Sequence, residues 1–205
     1  MRIEGYRGRL TAEHFMLMRI PRRFWDVTFD QIHPGAQGVV RNYLNELDVM
    51  LDNGDGLLLW GPNGRGKTSA AAFVAKEVRR TGASVLMVTA AMLLDSVLQK
   101  TEAEDGLLIM ELARTVDFLL IDDLGKEHAS KSGFSDRVFE NLLRERGSNR
   151  LTTWITTNMG RDGLVERYKH SMMEVLKELV VPVKVEGDNH RDDAQEKLRS
   201  AIAVG

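Results

Sequence analysis

The 205-residue chain contains no cysteine. That excludes disulfides and cysteine-ligated zinc, and it fits a reducing compartment. Neither charge is in surplus: 28 Lys and Arg stand against 30 Asp and Glu, a formal net charge of −2. A polycation that grips nucleic acid all over its surface is excluded, so any nucleic-acid contact has to be local. The opening residues, MRIEGYRGRLTAEHFMLMRIP, lack the apolar core of a signal peptide, and no run approaches a membrane span. The expected location is cytoplasmic, with no membrane partner. Internal repeats and low-complexity segments are also missing, and the five histidines show no metal-ligand spacing.

What remains is an ordinary composition, 43% hydrophobic and 28% charged, and a length sufficient for one α/β domain with a real core. Residues 1–25 hold Arg2, Arg7, Arg9, Arg19, Arg22 and Arg23 against Glu4 and Glu13. This segment reads either as a basic arm or docking helix, or as a solvated lead-in. Beyond it, apolar spacing predicts a helix over 39–51, then strands and helices in alternation. Strands are expected at 57–60, 84–89, 116–123, 151–158 and 180–187. Helices are expected at 69–80, 90–100, 107–114, 135–147 (with Ser135 as N-cap), 162–179 and 192–203. Such alternation implies a mostly parallel sheet covered on both faces, with ligands beyond the C-terminal strand ends.

The chemistry-bearing residues fall at those ends. GPNGRGKT, residues 61–68, fits G-x-x-x-x-G-K-[ST] at every fixed position, between a strand and a helix. Gly61, Pro62, Asn63, Gly64, Arg65, Gly66, Lys67 and Thr68, with Ser69 after them, form the expected triphosphate cradle. The glycines permit positive φ and close backbone approach, so the loop's N–H groups can point inward at an anion. Lys67 is expected to reach the β- and γ-phosphates of ATP and Thr68 to ligate Mg²⁺. FLLIDDLGKE, residues 118–127, ends an apolar strand in two carboxylates. Adjacent carboxylates repel unless a cation or proton separates their roles. Asp122 is therefore expected to hold Mg²⁺ and Asp123 to polarise the attacking water. WITTN ends another strand in Asn158, which can bridge that water and the γ-phosphate. Trp60 reads as a sheet-core residue, and Met172 and Met173 as packing. Lys100, Arg114, Lys126 and Lys131 read either as scattered surface charge or as the lining of a DNA path.

In order along the chain, RIPRRFWDVTFDQI, GLLLWGPNGRGKT, FLLIDDLGKE, TTWITTN and VPVKVEGDNHR resemble AAA+ ATPases of the DnaC/DnaI/IstB type, over roughly residues 19–191. The resemblance implies a P-loop NTPase of the ASCE type with a five-stranded parallel sheet of order 5-1-4-3-2. Residues 1–36 become a basic N-terminal extension and residues 37–205 the AAA+ domain. Asn158 matches the sensor-1 position, and Arg191 resembles the sensor-2-like arginine. The family implies a homo-oligomer, a ring or spiral, acting on single-stranded DNA to load a replicative DNA helicase, with a transposition helper that recruits a transposase as the near alternative. A trans-acting arginine is needed for an intersubunit site. Arg167 is the first candidate, with Arg144, Arg146 and Arg150 as alternatives; relatives tend to carry a second arginine where this chain has Ser171. Two readings of other classes share Lys67 and Thr68: a small-metabolite kinase, and a nucleotide-gated binding module with little turnover.

Overall fold

Strand β1 (Gly56–Trp60) lies between two parallel neighbours, and helices pack on both faces of the sheet, so its residues are apolar without alternation. The computed structural model describes residues 8–98, 104–127, 133–168 and 170–187. In chain order, α1 (Ala12–Leu17) and two short 3-10 turns lead to α2 (Pro34–Asn45) and α3 (Leu47–Asn53). After β1 come α4 (Lys67–Arg80), β2 (Val85–Thr89), α5 (Ala90–Leu98), α6 (Glu104–Thr115), β3 (Phe118–Leu124), α7 (Phe134–Ser148) and β4 (Thr152–Thr157). Then follow α8 (Arg161–Arg167), α9 (His170–Leu179) and β5 (Val180–Lys184). The sheet is parallel with order β2-β3-β4-β1-β5, the expected 5-1-4-3-2 read from the other edge.

Successive strand residues point to opposite faces, and this divides the core in two. Leu57, Leu59, Val85, Met87, Phe118, Leu120 and Trp154 face one cluster, with α2, α4 and the N-terminal segment over it. Leu58, Leu86, Val88, Leu119, Ile121 and Ile155 face the other, under α5 to α9. Leu10, Met18, Ile20, Phe24 and Ile32 are buried in the first cluster, and the N–H of Met87, on the edge strand, donates to the Met18 carbonyl at 2.8 Å. The described part of the expected extension thus packs as one piece with α4 and the sheet.

Several local expectations change. The helix expected over 39–51 is two helices, with the break at Glu46 (φ −108°, ψ 21°). The helix expected over 162–179 breaks at Tyr168, whose backbone is extended (φ −118°, ψ 151°) and whose hydroxyl donates to Glu127. Gly133, with φ 66°, caps α7, while Ser135 lies inside the helix and is fully buried. Trp60 is only half-buried and carries the Lys184 ammonium 5.4 Å from its ring centre; the tryptophan at the centre of the core is Trp154. The terminal helix expected at 192–203 lies outside the described residues, as do Arg191, Lys100 and Lys131. Among the described residues no helix is long and apolar enough to cross a membrane.

Candidate functional site

The turn after β1 and the first turn of α4 form one wall of a pocket of about 320 Å³. Asn63, Gly64, Arg65, Gly66, Lys67, Thr68 and Ser69 line it, together with Asp122, Asp123, Lys126 and Asn158 from the ends of β3 and β4. Gly61 lies just behind, with φ 138°, and a Cβ there would stand 2.6 Å from the Val185 carbonyl, so no other residue fits. Gly66 starts α4 in the left-handed region at φ 69°. Pro62 contributes its carbonyl rather than its side chain. The Lys67 ammonium donates to the carbonyls of Gly61 and Pro62 and to Asn158 Oδ1, each at 2.8 Å.

That last bond settles how Asn158 is oriented. Lysine can only donate, so the amide oxygen must face it and the amide nitrogen must point away. Asn158 Nδ2 is buried and has no hydrogen-bond partner among the described residues. A buried unpaired donor is costly unless something at the site accepts from it. A phosphate oxygen or an attacking water would be such an acceptor.

The two carboxylates reach the same pocket by an irregularity. In a regular strand, Asp122 and Asp123 would face opposite sides of the sheet. The β3–β4 register shifts between Ile121, opposite Ile155, and Leu124, opposite Thr157. Two residues of β3 therefore stand across from Thr156 alone, a bulge. Asp123 takes φ 60° there. Thr156 holds both residues: its hydroxyl donates to Asp122 Oδ1 at 2.5 Å and accepts the Asp123 N–H at 3.0 Å. Thr68 Oγ1 donates to the same Asp122 oxygen at 2.8 Å. Lys126 pairs with Asp123 at 2.8 Å and lines this pocket.

Burial is the main reason the Asp122 carboxyl lies above the ordinary range; the Thr156 and Thr68 bonds pull it down, Asp123 pushes it up and Lys126 pulls it down. A raised value means the folded chain keeps this proton to higher pH than the unfolded chain does. Stability of the ligand-free protein therefore falls as pH rises from the ordinary aspartate value, about 3.9, through the raised one, and is level below both. Asp122→Asn, which cannot ionise, should melt above the wild type at neutral pH. Melting curves recorded from neutrality into the acid range should show that gap close.

The donor set suits a magnesium ion. Thr68 can keep its hydrogen on Asp122 while offering a lone pair to a cation. The described residues contain no cluster of three or more His, Cys, Asp or Glu able to hold a metal by themselves. Mg²⁺ needs none, since it keeps several waters and takes one or two protein ligands plus substrate phosphates.

Residues 20–31 supply a wall that the sequence did not place at the pocket: Arg23, Phe24 and Gln31 line it beside the glycine loop. Thr156 was missed too, because a threonine in a strand carries no signal until its partner strand is known.

The arginine candidates do not gather at this pocket. Arg167 is paired inside its own chain, to Glu127 at 2.7 Å and Asp136 at 3.2 Å. Arg144 pairs with Glu140 along α7, Arg114 pairs with Glu145, and Arg150 is exposed in the turn before β4. Arg146 is fully buried and donates to Thr153 Oγ1 and to the carbonyls of Ala113, Val116 and Thr152 at 2.6–2.9 Å. Burial pushes its pKa down to about 9, still a cation at neutral pH. It ties α6, α7 and β4 together and cannot act across a subunit boundary. Arg146→Ala should strand those acceptors and cost about 3–5 kcal/mol, seen as a melting temperature lower by roughly 10 °C with little change in nucleotide affinity.

Comparison with known proteins agrees with this geometry. The sequence profile of IstB-like ATP binding proteins matches residues 13–180. Among solved structures, the chain is similar to DnaI, with 22% identity and a TM-score of 0.71 over 87% of this chain and 100% of that one. It is similar to the DnaC helicase loader, with 21% identity and a TM-score of 0.67 over 81% and 100%. It also resembles the replication initiator DnaA bound to AMPPCP and single-stranded DNA, with 15% identity and a TM-score of 0.67 over 88% and 56%. At these identities the likeness shows the fold, that of AAA+ P-loop ATPases. No curated protein matches the sequence.

Proposed function

Because the chain belongs to the family of IstB-like ATP-binding proteins, we propose that it binds ATP with Mg²⁺, hydrolyses it, and uses the nucleotide state to load a replicative DNA helicase onto single-stranded DNA. The observation that carries the hydrolytic part is the convergence of Lys67, Asp122, Asp123 and Asn158 on one pocket from three separate strand ends. A nucleotide-gated module would need only the glycine loop and Lys67. A water-attack site needs the rest.

In this reading the loop N–H groups and Lys67 hold the β- and γ-phosphates. Thr68 and Asp122 would hold Mg²⁺, which would offset phosphate charge. Asn158 Nδ2 orients the water or the γ-phosphate. Asp123 takes the proton of the attacking water as the bond to the departing ADP breaks. The loader part rests on the sequence resemblance and on the fold shared with DnaI and DnaC. The match to the IstB-type profile supports the second reading, a helper ATPase that recruits a transposase to target DNA.

Phosphate release and light scattering, measured with ATP, single-stranded DNA, duplex DNA and the host helicase, test both. A loader should hydrolyse faster and assemble on single-stranded DNA and bind the helicase. Assembly on duplex DNA without helicase binding would favour the helper. If no DNA changes hydrolysis or assembly, both readings fail.

A further inference from the structure

Arg167 is held by two carboxylates of its own chain. Its side chain is 13% exposed, and the Glu127 side chain it meets is 0% exposed. One arm of its guanidinium, Nη2, donates to Glu127 Oε1 at 2.7 Å, and Nη1 donates to Asp136 Oδ1 on α7 at 3.2 Å. The Tyr168 hydroxyl donates to the same Glu127 oxygen at 2.5 Å. Burial and the Glu127 charge hold that phenol far above its ordinary range, so it stays a donor. Withdrawing Arg167 toward a neighbour would leave two largely buried carboxylates without their cation, which is strongly unfavourable.

Glu127 has a second hold. Its Oε2 accepts the N–H of Gly125 at 2.8 Å. Gly125, at φ 96°, is the first residue after β3, two beyond Asp123, and a Cβ there would meet the Met159 sulfur at 2.7 Å. Met159 directly follows Asn158. The turn that Glu127 clamps is therefore the one that sets the bulge of Asp123 on one side and abuts the residue after Asn158 on the other. Lys126, inside the same turn, carries the ion pair to Asp123.

We propose that Arg167 works within its own subunit as a positioning residue: it fixes Glu127, and Glu127 fixes the Gly125 turn that aims Asp123 at the γ-phosphate. This rests on the hydrolytic reading above. The second arm, to Asp136, makes α7 part of the same support.

Subunit mixing tests it. Arg167→Ala subunits keep their own Asp123, and Asp123→Asn subunits keep their own Arg167. An arginine acting across the boundary would restore phosphate release when the two are mixed. One acting inside its subunit would not, and the mixture should stay at the average of its parts. Glu127→Gln, an isosteric change that still accepts from Gly125, should reproduce the Arg167→Ala defect. The expected loss in kcat is about 10- to 100-fold, with nucleotide Kd within about twofold. Arg167→Lys, which keeps the charge but not the fork, should fall between. Melting curves identify any variant that fails to fold, and Glu127→Gln and Arg167→Lys are the variants least exposed to that outcome. Recovery of activity on mixing overturns the inference, as does a Glu127→Gln protein with wild-type kcat or one that loses nucleotide affinity in proportion. A wild-type protein that binds ATP and leaves it intact overturns the hydrolytic reading itself, and the inference with it.

Discussion

Asp123→Asn is expected to lower ATP hydrolysis by about 10²- to 10⁴-fold while nucleotide affinity stays within about threefold. The change removes the pocket carboxylate that is partly exposed, at 34% of its side chain, while the Thr68 hydroxyl donates to its neighbour Asp122. Asn keeps the size and polarity of Asp and loses its charge, and with it the basicity and the ion pair to the half-exposed Lys126. It also tolerates φ 60° better than other residues do, so the backbone of the bulge should survive. The Asp123 N–H bond to Thr156 does not involve the side chain. Melting temperature should therefore be nearly unchanged, and single-turnover phosphate release with a fluorescent-nucleotide titration separates the two quantities. If the variant hydrolyses ATP at the wild-type rate, Asp123 is not the base. If partner binding and assembly survive the loss of hydrolysis, nucleotide binding is the working step.

Lys67→Ala should weaken ATP binding by about 10- to 150-fold, since a charge-assisted bond to a phosphate is worth about 1.5–3 kcal/mol and the ammonium is buried in the loop. Its effect on the ligand-free protein should be much smaller. There Lys67 is a strut, spread over the Gly61 and Pro62 carbonyls and Asn158 Oδ1. Removing it frees those acceptors but also removes a buried cation, and the two effects oppose each other. The bond to Asn158 ties the loop to the end of β4 before any nucleotide arrives. The variant should thus loosen Asn158 as well, and hydrolysis at saturating ATP should remain depressed. Isothermal titration with a non-hydrolysable analogue reads the affinity directly. Wild-type affinity in Lys67→Ala would show that Lys67 does not hold the phosphates.

The glycine loop was legible in the sequence because its function is local: a short run of backbone N–H groups, a lysine and a hydroxyl follow one another along the chain. The strand order was legible through the family resemblance. Other features were not, and for one reason. They depend on what stands across from a residue rather than beside it. Asp122 and Asp123 are adjacent in sequence, yet only the β3–β4 register shift brings both to one pocket. Arg146 and Arg167 look like any other helix arginines, and their isolation from solvent appears only when α6, α7 and β4, or the Gly125 turn and α8, have been packed together.

Sequence alone thus determined the fold class, the glycine loop between strand and helix, and the two adjacent carboxylates at a strand end, because apolar periodicity and short-range motifs encode them within a few residues. Tertiary structure alone decided the aim of Asp123, the orientation of Asn158 and the burial of Arg167 against Glu127 and Asp136. Each of these is set by a hydrogen bond or a packing contact that joins distant parts of the chain, and such a contact leaves no trace in the spacing of either partner.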